Sequence, residues 1–186
     1  MLTPVPLDKA YRLLNHGPVV LVSSAHGEAR NVMAAAWAMP IDFSPPKVAV
    51  VVDARSYTRE LIEASGEFAL NIPCRQQVGS VLKAGTASGR DTNKFTHTGF
   101  SVRAGSRIAA PLIEGCVGWL ECRVIDEPHI QKQYDLFVGE VVAAEADDRV
   151  FREGHWDMAD DDLRTLHYLS GGTFFTTGDA ITIASD

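Results

Sequence analysis

Cysteine is scarce in this sequence: Cys74, Cys116 and Cys122 are the only three in 186 residues, and no two form a C-x-x-C pair. An odd, sparse set cannot pair fully within one chain, so a disulfide framework is excluded and reduced, structural thiols are expected. Cys116 and Cys122 are evenly spaced in GCVGWLECRV, which in a strand puts both on one face as small buried residues. A surplus of positive charge is also missing. With 17 Lys and Arg against 24 Asp and Glu, the formal net charge is -7. That balance argues against nucleic acid as a partner, because phosphate-backbone affinity comes from clustered cations that displace counterions. No apolar run reaches the ~18 residues of a membrane-spanning helix. The start MLTPVPLDKAYRLL has no basic stretch leading into an apolar one, so a cytoplasmic protein with no membrane partner is expected.

Several catalytic signatures are absent too. There is no G-x-G-x-x-G after a strand and no Walker-type GK[ST], so a nucleotide cofactor must be held in some other way. The six histidines form no H-x-H or H-E-x-x-H group, and no metal site is expected. His97, His155 and His167 read as structural or exposed side chains, and none is assigned a catalytic role. Neither repeats nor low-complexity tracts occur; 46% hydrophobic and 22% charged residues fit one soluble domain over residues 1–186.

What is present is a succession of strands with helices between them. PLDKAYRLLNHGP reads as a short helix, with Asp8 as a cap and a Gly17-Pro18 stop. VVLVSSAHGEARNVMAAAW reads as a hairpin turning at His26-Gly27, and KVAVVVD as a strand entered through Pro45-Pro46. RSYTRELIEASG supplies a helix ended by Gly66, and FALNIP resumes extended structure. QQVGSVLKAG is a second helical segment before the polar loop TASGRDTNKF. CVGWLECRVIDEPHI and YDLFVGEVVAAEAD read as two long strands joined by a turn, and Asp160-Asp161-Asp162 as a helix cap with a solvated face. Hairpin-linked strands of this number predict an antiparallel sheet closed into a barrel, which disposes of its edges.

One region concentrates polar and small residues. Asn31, Val32, Met33 and Ala34 lead to Trp37; Ser44 precedes two prolines; Arg55, Ser56, Tyr57 and Thr58 open a helix. A flat heterocycle with a phosphate tail needs such a set: backbone groups for the ring edge, apolar surface for its face, and a guanidinium with hydroxyls at a helix N-terminus for the anion. Taken singly, the same residues have plainer roles. Ser56 or Thr58 serves as an N-cap, Trp37 as core, and SGRDTNKF as a solvated turn before a buried Phe95.

The segments PVVLVSS, NVMAAAWAMPIDFSPPKVAVVV, RSYTRELIEASGEFALNIP, SGRDTNKF, IEGCVGWLECRV and FVGEVVAA resemble, in order, the flavin reductase-like family and its flavoredoxin-type branch. The resemblance implies a mainly β fold, a Greek-key split β-barrel with a few peripheral helices, forming a homodimer with one flavin per subunit near the interface. It implies that Asn31, Val32, Met33 and Ala34 run along an FMN (or FAD), buttressed by Trp37. Arg55, Ser56, Tyr57 and Thr58 would take its phosphate, while Ser88, Gly89, Arg90 and Lys94 complete the site. The implied activity is that of an NAD(P)H:flavin oxidoreductase passing electrons to a free flavin, an oxygenase or another electron-acceptor protein. A non-catalytic electron carrier is the alternative, with a pyridoxamine-phosphate oxidase-like or heme-handling barrel as a third reading.

Overall fold

The computed structural model describes residues 1–14 and 17–183. In chain order its strands and helices are β1 (Leu2–Pro4), β2 (Val20–His26), β3 (Ala29–Ala35), β4 (Ala38–Phe43), β5 (Pro46–Val51), α1 (Tyr57–Ser65), β6 (Glu67–Ile72), α2 (Val78–Thr86) and α3 (Lys94–Thr98). They continue with β7 (Val102–Arg103), β8 (Leu112–Ile113), β9 (Gly118–Ile125), α4 (Pro128–Tyr134), β10 (Leu136–Asp147), β11 (Phe151–Arg152), β12 (His155–Trp156), β13 (Leu166–Ser170) and β14 (Thr173–Thr176). None of these helices is long and apolar enough to cross a membrane.

The main sheet runs β3-β2-β6-β9-β10-β5-β4, with β1 added to β10, and its neighbouring strands pair antiparallel. Strands β6, β9 and β10 follow one another as neighbours, and β5 lies beside β10, which is the Greek-key order. Strands β3 and β4 stand at opposite ends of this order, yet only Ala36 and Trp37 separate them in the chain. The sheet therefore curls until its two ends meet at that link, and no ladder joins them: a barrel split along one seam.

Both faces of the sheet are covered, which explains why the strands read as nearly continuous apolar runs. On β2, Val20 and Val22 enter the barrel interior with Phe68, Leu70, Leu120 and Phe137. The alternate residues Val19 and Leu21 join a second core under α2 and α3, with Val81, Phe95, Trp119 and Leu166. Glu121 on β9 is a carboxylate buried between these layers. Its carboxylate accepts from the N–H groups of Ser106, Arg107 and Ile108 at 2.9, 2.7 and 3.1 Å, anchoring the loop before β8.

Three local expectations are corrected. Residues Leu7–Leu13 form a 3-10 helix whose N-cap is Pro6; Asp8 lies in its first turn and pairs with Lys9 at 2.9 Å. The helix ends before the expected Gly17-Pro18 stop; Asn15 and His16 are outside the described residues, and Gly17 is left-handed at φ 68°, its N–H donating to Leu14 O at 2.9 Å. The connection between β9 and β10 holds α4 rather than a bare turn, because Pro128 fits the start of a helix and Asp135 closes it in the left-handed conformation at φ 56°. Cys116 and Cys122 are both buried free thiols, but they belong to opposite cores. Strict alternation applies only within a strand, and β9 begins at Gly118, after Cys116.

Candidate functional site

The N-terminus of α1 is built by its own sequence. Ser56 is extended, and its Oγ accepts from Arg59 N at 3.2 Å, which satisfies one of the orphan donors of the first turn. Gly66 ends the helix at φ 71°, its N–H donating to Ile62 O at 2.8 Å. Thr58, fully buried, is held from the sheet: Asn31 on β3 donates through Nδ2 to Thr58 Oγ1 at 2.9 Å. The loop after α2 crosses the other side of Asn31, and Gly89 is its point of closest approach.

These elements enclose a hollow of about 410 Å³ whose lining includes Asn31, Ser56, Thr58, Ser88, Gly89 and Lys94. Lys94 is its decisive group. The side chain is 6% exposed, Nζ donates to Ala84 O at 2.8 Å, and among the described residues no carboxylate pairs with it. Burial penalises its charge and pulls it down to about 8 from the ordinary lysine value of 10.5. Arg55 and Tyr57 also line the hollow. Arg55 points to solvent and grips Asp53, with Nε and Nη2 each 3.1 Å from a carboxylate oxygen, holding that carboxyl down to about 2.

A second hollow of about 580 Å³ continues from the first, the two sharing Met33, Ala34, Asp53, Gly85 and Thr86. Its sides are the small-residue seam Ala34–Trp37, the α2 face at Val81 and Leu82, the Tyr134-Asp135 corner, and Tyr168 and Phe174 of the β13–β14 hairpin. The run of alanines thus lies where the barrel is split. Ala34 also lets α2 come near, since a Cβ built on Gly85 would lie 3.6 Å from the Ala34 methyl. Trp37 is 75% exposed and stands on the rim. The result is one trough, cationic and hydroxyl-rich at one end, apolar and aromatic at the other.

A model of the flavin reductase-like domain matches residues 12–173 of this chain. The Escherichia coli K12 protein YddH is 48% identical over 182 residues, covering 96% of each chain. This chain belongs to the flavin reductase-like family. A crystal structure of an FMN-binding domain of a flavin reductases-like enzyme from Shewanella baltica has a TM-score of 0.96 at 44% identity, covering 99% of this chain and 98% of that one. Flavoredoxin of Desulfovibrio vulgaris gives 0.79 at 26% identity, covering 90% of each chain.

Not every residue that the family resemblance singled out reaches the trough. Val32 is fully buried in the second core and lines neither hollow. Ser44 is exposed in the β4–β5 turn and lines neither hollow. Arg90 also lines neither: its guanidinium pairs with Glu60 and stacks over the Tyr57 ring at 5.7 Å, clasping the loop to α1.

Others in the family fold's trough had no local signal. Asp135 arrives through α4, and Arg59 fixes it: buried on α1, that guanidinium pairs with Asp135 and with Glu63 at 2.7 Å, and donates to Gln131 O at 2.8 Å. Tyr168 and Phe174 had a partial signal, the Gly171-Gly172 turn between two aromatic stretches. Among the described residues no cluster of His, Cys, Asp and Glu has the arrangement of a metal site.

Proposed function

We propose that the trough holds FMN and that the protein is an NAD(P)H-dependent oxidoreductase delivering electrons to a free flavin or an acceptor protein. The observation that carries this is Lys94: a buried cation that no carboxylate among the described residues pairs, at the polar end of a trough whose other end is apolar and aromatic. A buried charge is costly unless a partner compensates it, and a phosphate would supply that partner. Ser56, Thr58 and Ser88 add hydroxyls beside it, and Ala34 to Ala36 present small side chains toward a ring, with Met33 beside them. When bound, FMN supplies the hydride and electron chemistry. The chain's own residues bind the phosphate, orient the ring along the seam and screen it from water.

The proposal extends to a homodimer. Trp37, Met39, Ile41 and Phe43 are 75, 55, 48 and 63% exposed on alternate positions of the edge strand β4 and the residue before it, an apolar stripe that a second subunit would cover. Its continuity with the trough at Trp37 would bring that subunit to the flavin. Light scattering should give twice the 20.2 kDa chain mass for the flavin-loaded protein, and a monomer mass would defeat the dimer.

Anaerobic mixing with NADH or NADPH tests the activity. Prompt bleaching of the flavin absorbance is expected, whereas a flavin that stays oxidised with both, but accepts electrons from dithionite, would mark an electron carrier. Mass analysis of the extracted chromophore decides FMN against FAD.

A further inference from the structure

The apolar end of the trough has an unusual charge pattern. Among the described residues neither Lys nor Arg lines it, and both of its carboxylates already have guanidinium partners: Asp53 with Arg55, and Asp135 with Arg59. An anion entering here meets no free cation, and a cation meets no free carboxylate; either would lose its hydration without compensation. What the lining does present is ring surface. Trp37, Tyr134 and Tyr168 are 75, 62 and 42% exposed, so core packing does not use up their faces.

Tyr168 is the most firmly held of these rings. Phe174 backs it, with centroids 5.1 Å apart, and Phe174 itself packs on the second core. The base of the hairpin is clipped to the barrel, Val19 N donating to Leu166 O at 2.8 Å. Its tip rests on α2, where a Cβ on Gly172 would lie 3.7 Å from Leu82 Cδ2. A ring fixed at both ends of its hairpin loses little freedom when a second ring stacks on it.

We propose that Tyr168 forms one wall of a subsite for an uncharged planar aromatic or quinoid ring at the apolar end of the trough, and that the lining discriminates against charged analogues. This rests on the flavin reading of the trough and goes further by naming the class of the second ligand.

The test is calorimetric titration of the FMN-loaded protein with menadione, an uncharged naphthoquinone, and with a naphthoquinone sulfonate of similar size. Menadione should bind at least about tenfold tighter, Tyr168→Ala should lose about tenfold for menadione, and Tyr168→Phe should stay within about twofold of wild type. Equal binding of the two probes overturns the proposal and needs no variant. So does a Tyr168→Phe protein that loses as much as Tyr168→Ala, since a ring wall does not need the hydroxyl. Melting temperature and FMN affinity are measured in parallel. A wild-type protein that does not retain FMN brings down the functional reading and this inference together, whereas normal FMN retention with unchanged menadione affinity in Tyr168→Ala brings down this inference alone.

Discussion

Gly89 lies so close to Asn31 that a Cβ built on it would stand 2.3 Å from the amide oxygen and 2.6 Å from its carbon. Asn31 cannot easily retreat, because its Nδ2 is committed to Thr58 Oγ1 at 2.9 Å. The contact joins three separate pieces of chain, β3, the start of α1 and the loop after α2, around the polar end of the trough. Gly89→Ala should therefore displace the loop or break the Asn31–Thr58 bond. The expected result is at least a tenfold loss of FMN affinity with about 1 to 3 kcal/mol lower stability, read from flavin titration and urea unfolding. Wild-type affinity in that variant would show that the close approach does not shape the site.

Lys94 gives two pH dependences of opposite sign. Its folded-state value of about 8 lies below the ordinary 10.5, so between those pH values the unfolded chain holds the proton that the folded chain has released. Flavin-free protein should gain stability from this group as pH rises across that window. FMN affinity should fall over the same range, as the cation facing the phosphate is lost, while riboflavin affinity changes little. Lys94→Met should abolish both trends and weaken FMN by about one to two orders of magnitude. Parallel pH titrations of FMN and riboflavin check this, and identical slopes for the two ligands would remove Lys94 from the phosphate site.

Arg59 ties the helix at the polar end to the corner at the apolar end, reaching Asp135, Glu63 and Gln131 from a side chain only 8% exposed. Removing one partner of a buried pair costs about 3 to 5 kcal/mol when the other stays buried. Glu63 and Asp135 are 52 and 34% exposed and can rehydrate, so Arg59→Met should cost roughly 1 to 3 kcal/mol instead. A change below about 0.5 kcal/mol in urea unfolding would place it among ordinary surface substitutions.

Ala34 has two neighbours to satisfy. It lines both hollows and also meets α2 near Gly85. Ala34→Leu should therefore both weaken flavin binding and lower the melting temperature of the flavin-free protein, overpacking costing about 1 to 3 kcal/mol. A lost flavin with wholly unchanged apo stability would mean that the added side chain occupies ligand space alone.

The sequence by itself determined what depends on neighbours a few residues apart. Ser56 capping α1, Gly66 ending it, the His26-Gly27 hairpin and the strand character of β5, β6, β9 and β10 all follow from local propensity, alternation and capping chemistry. The ordered family segments carried the barrel and the placing of Asn31, Met33, Ala34 and Thr58 beside one trough. Tertiary structure alone decided the charges and walls. Lys94 reads as a loop cation, and only packing against α2 makes it a buried one. Val32 is enclosed by the second core while Ala34, two residues on along the same face, reaches the trough, and Arg90 is taken up by Glu60. Asp135 meets Arg59 across 76 positions of sequence, and Tyr168 reaches the trough only because its hairpin folds back onto α2. Contacts over such separations are fixed by how the two ends of the sheet curl to meet at Ala36 and Trp37, and no local pattern encodes that closure.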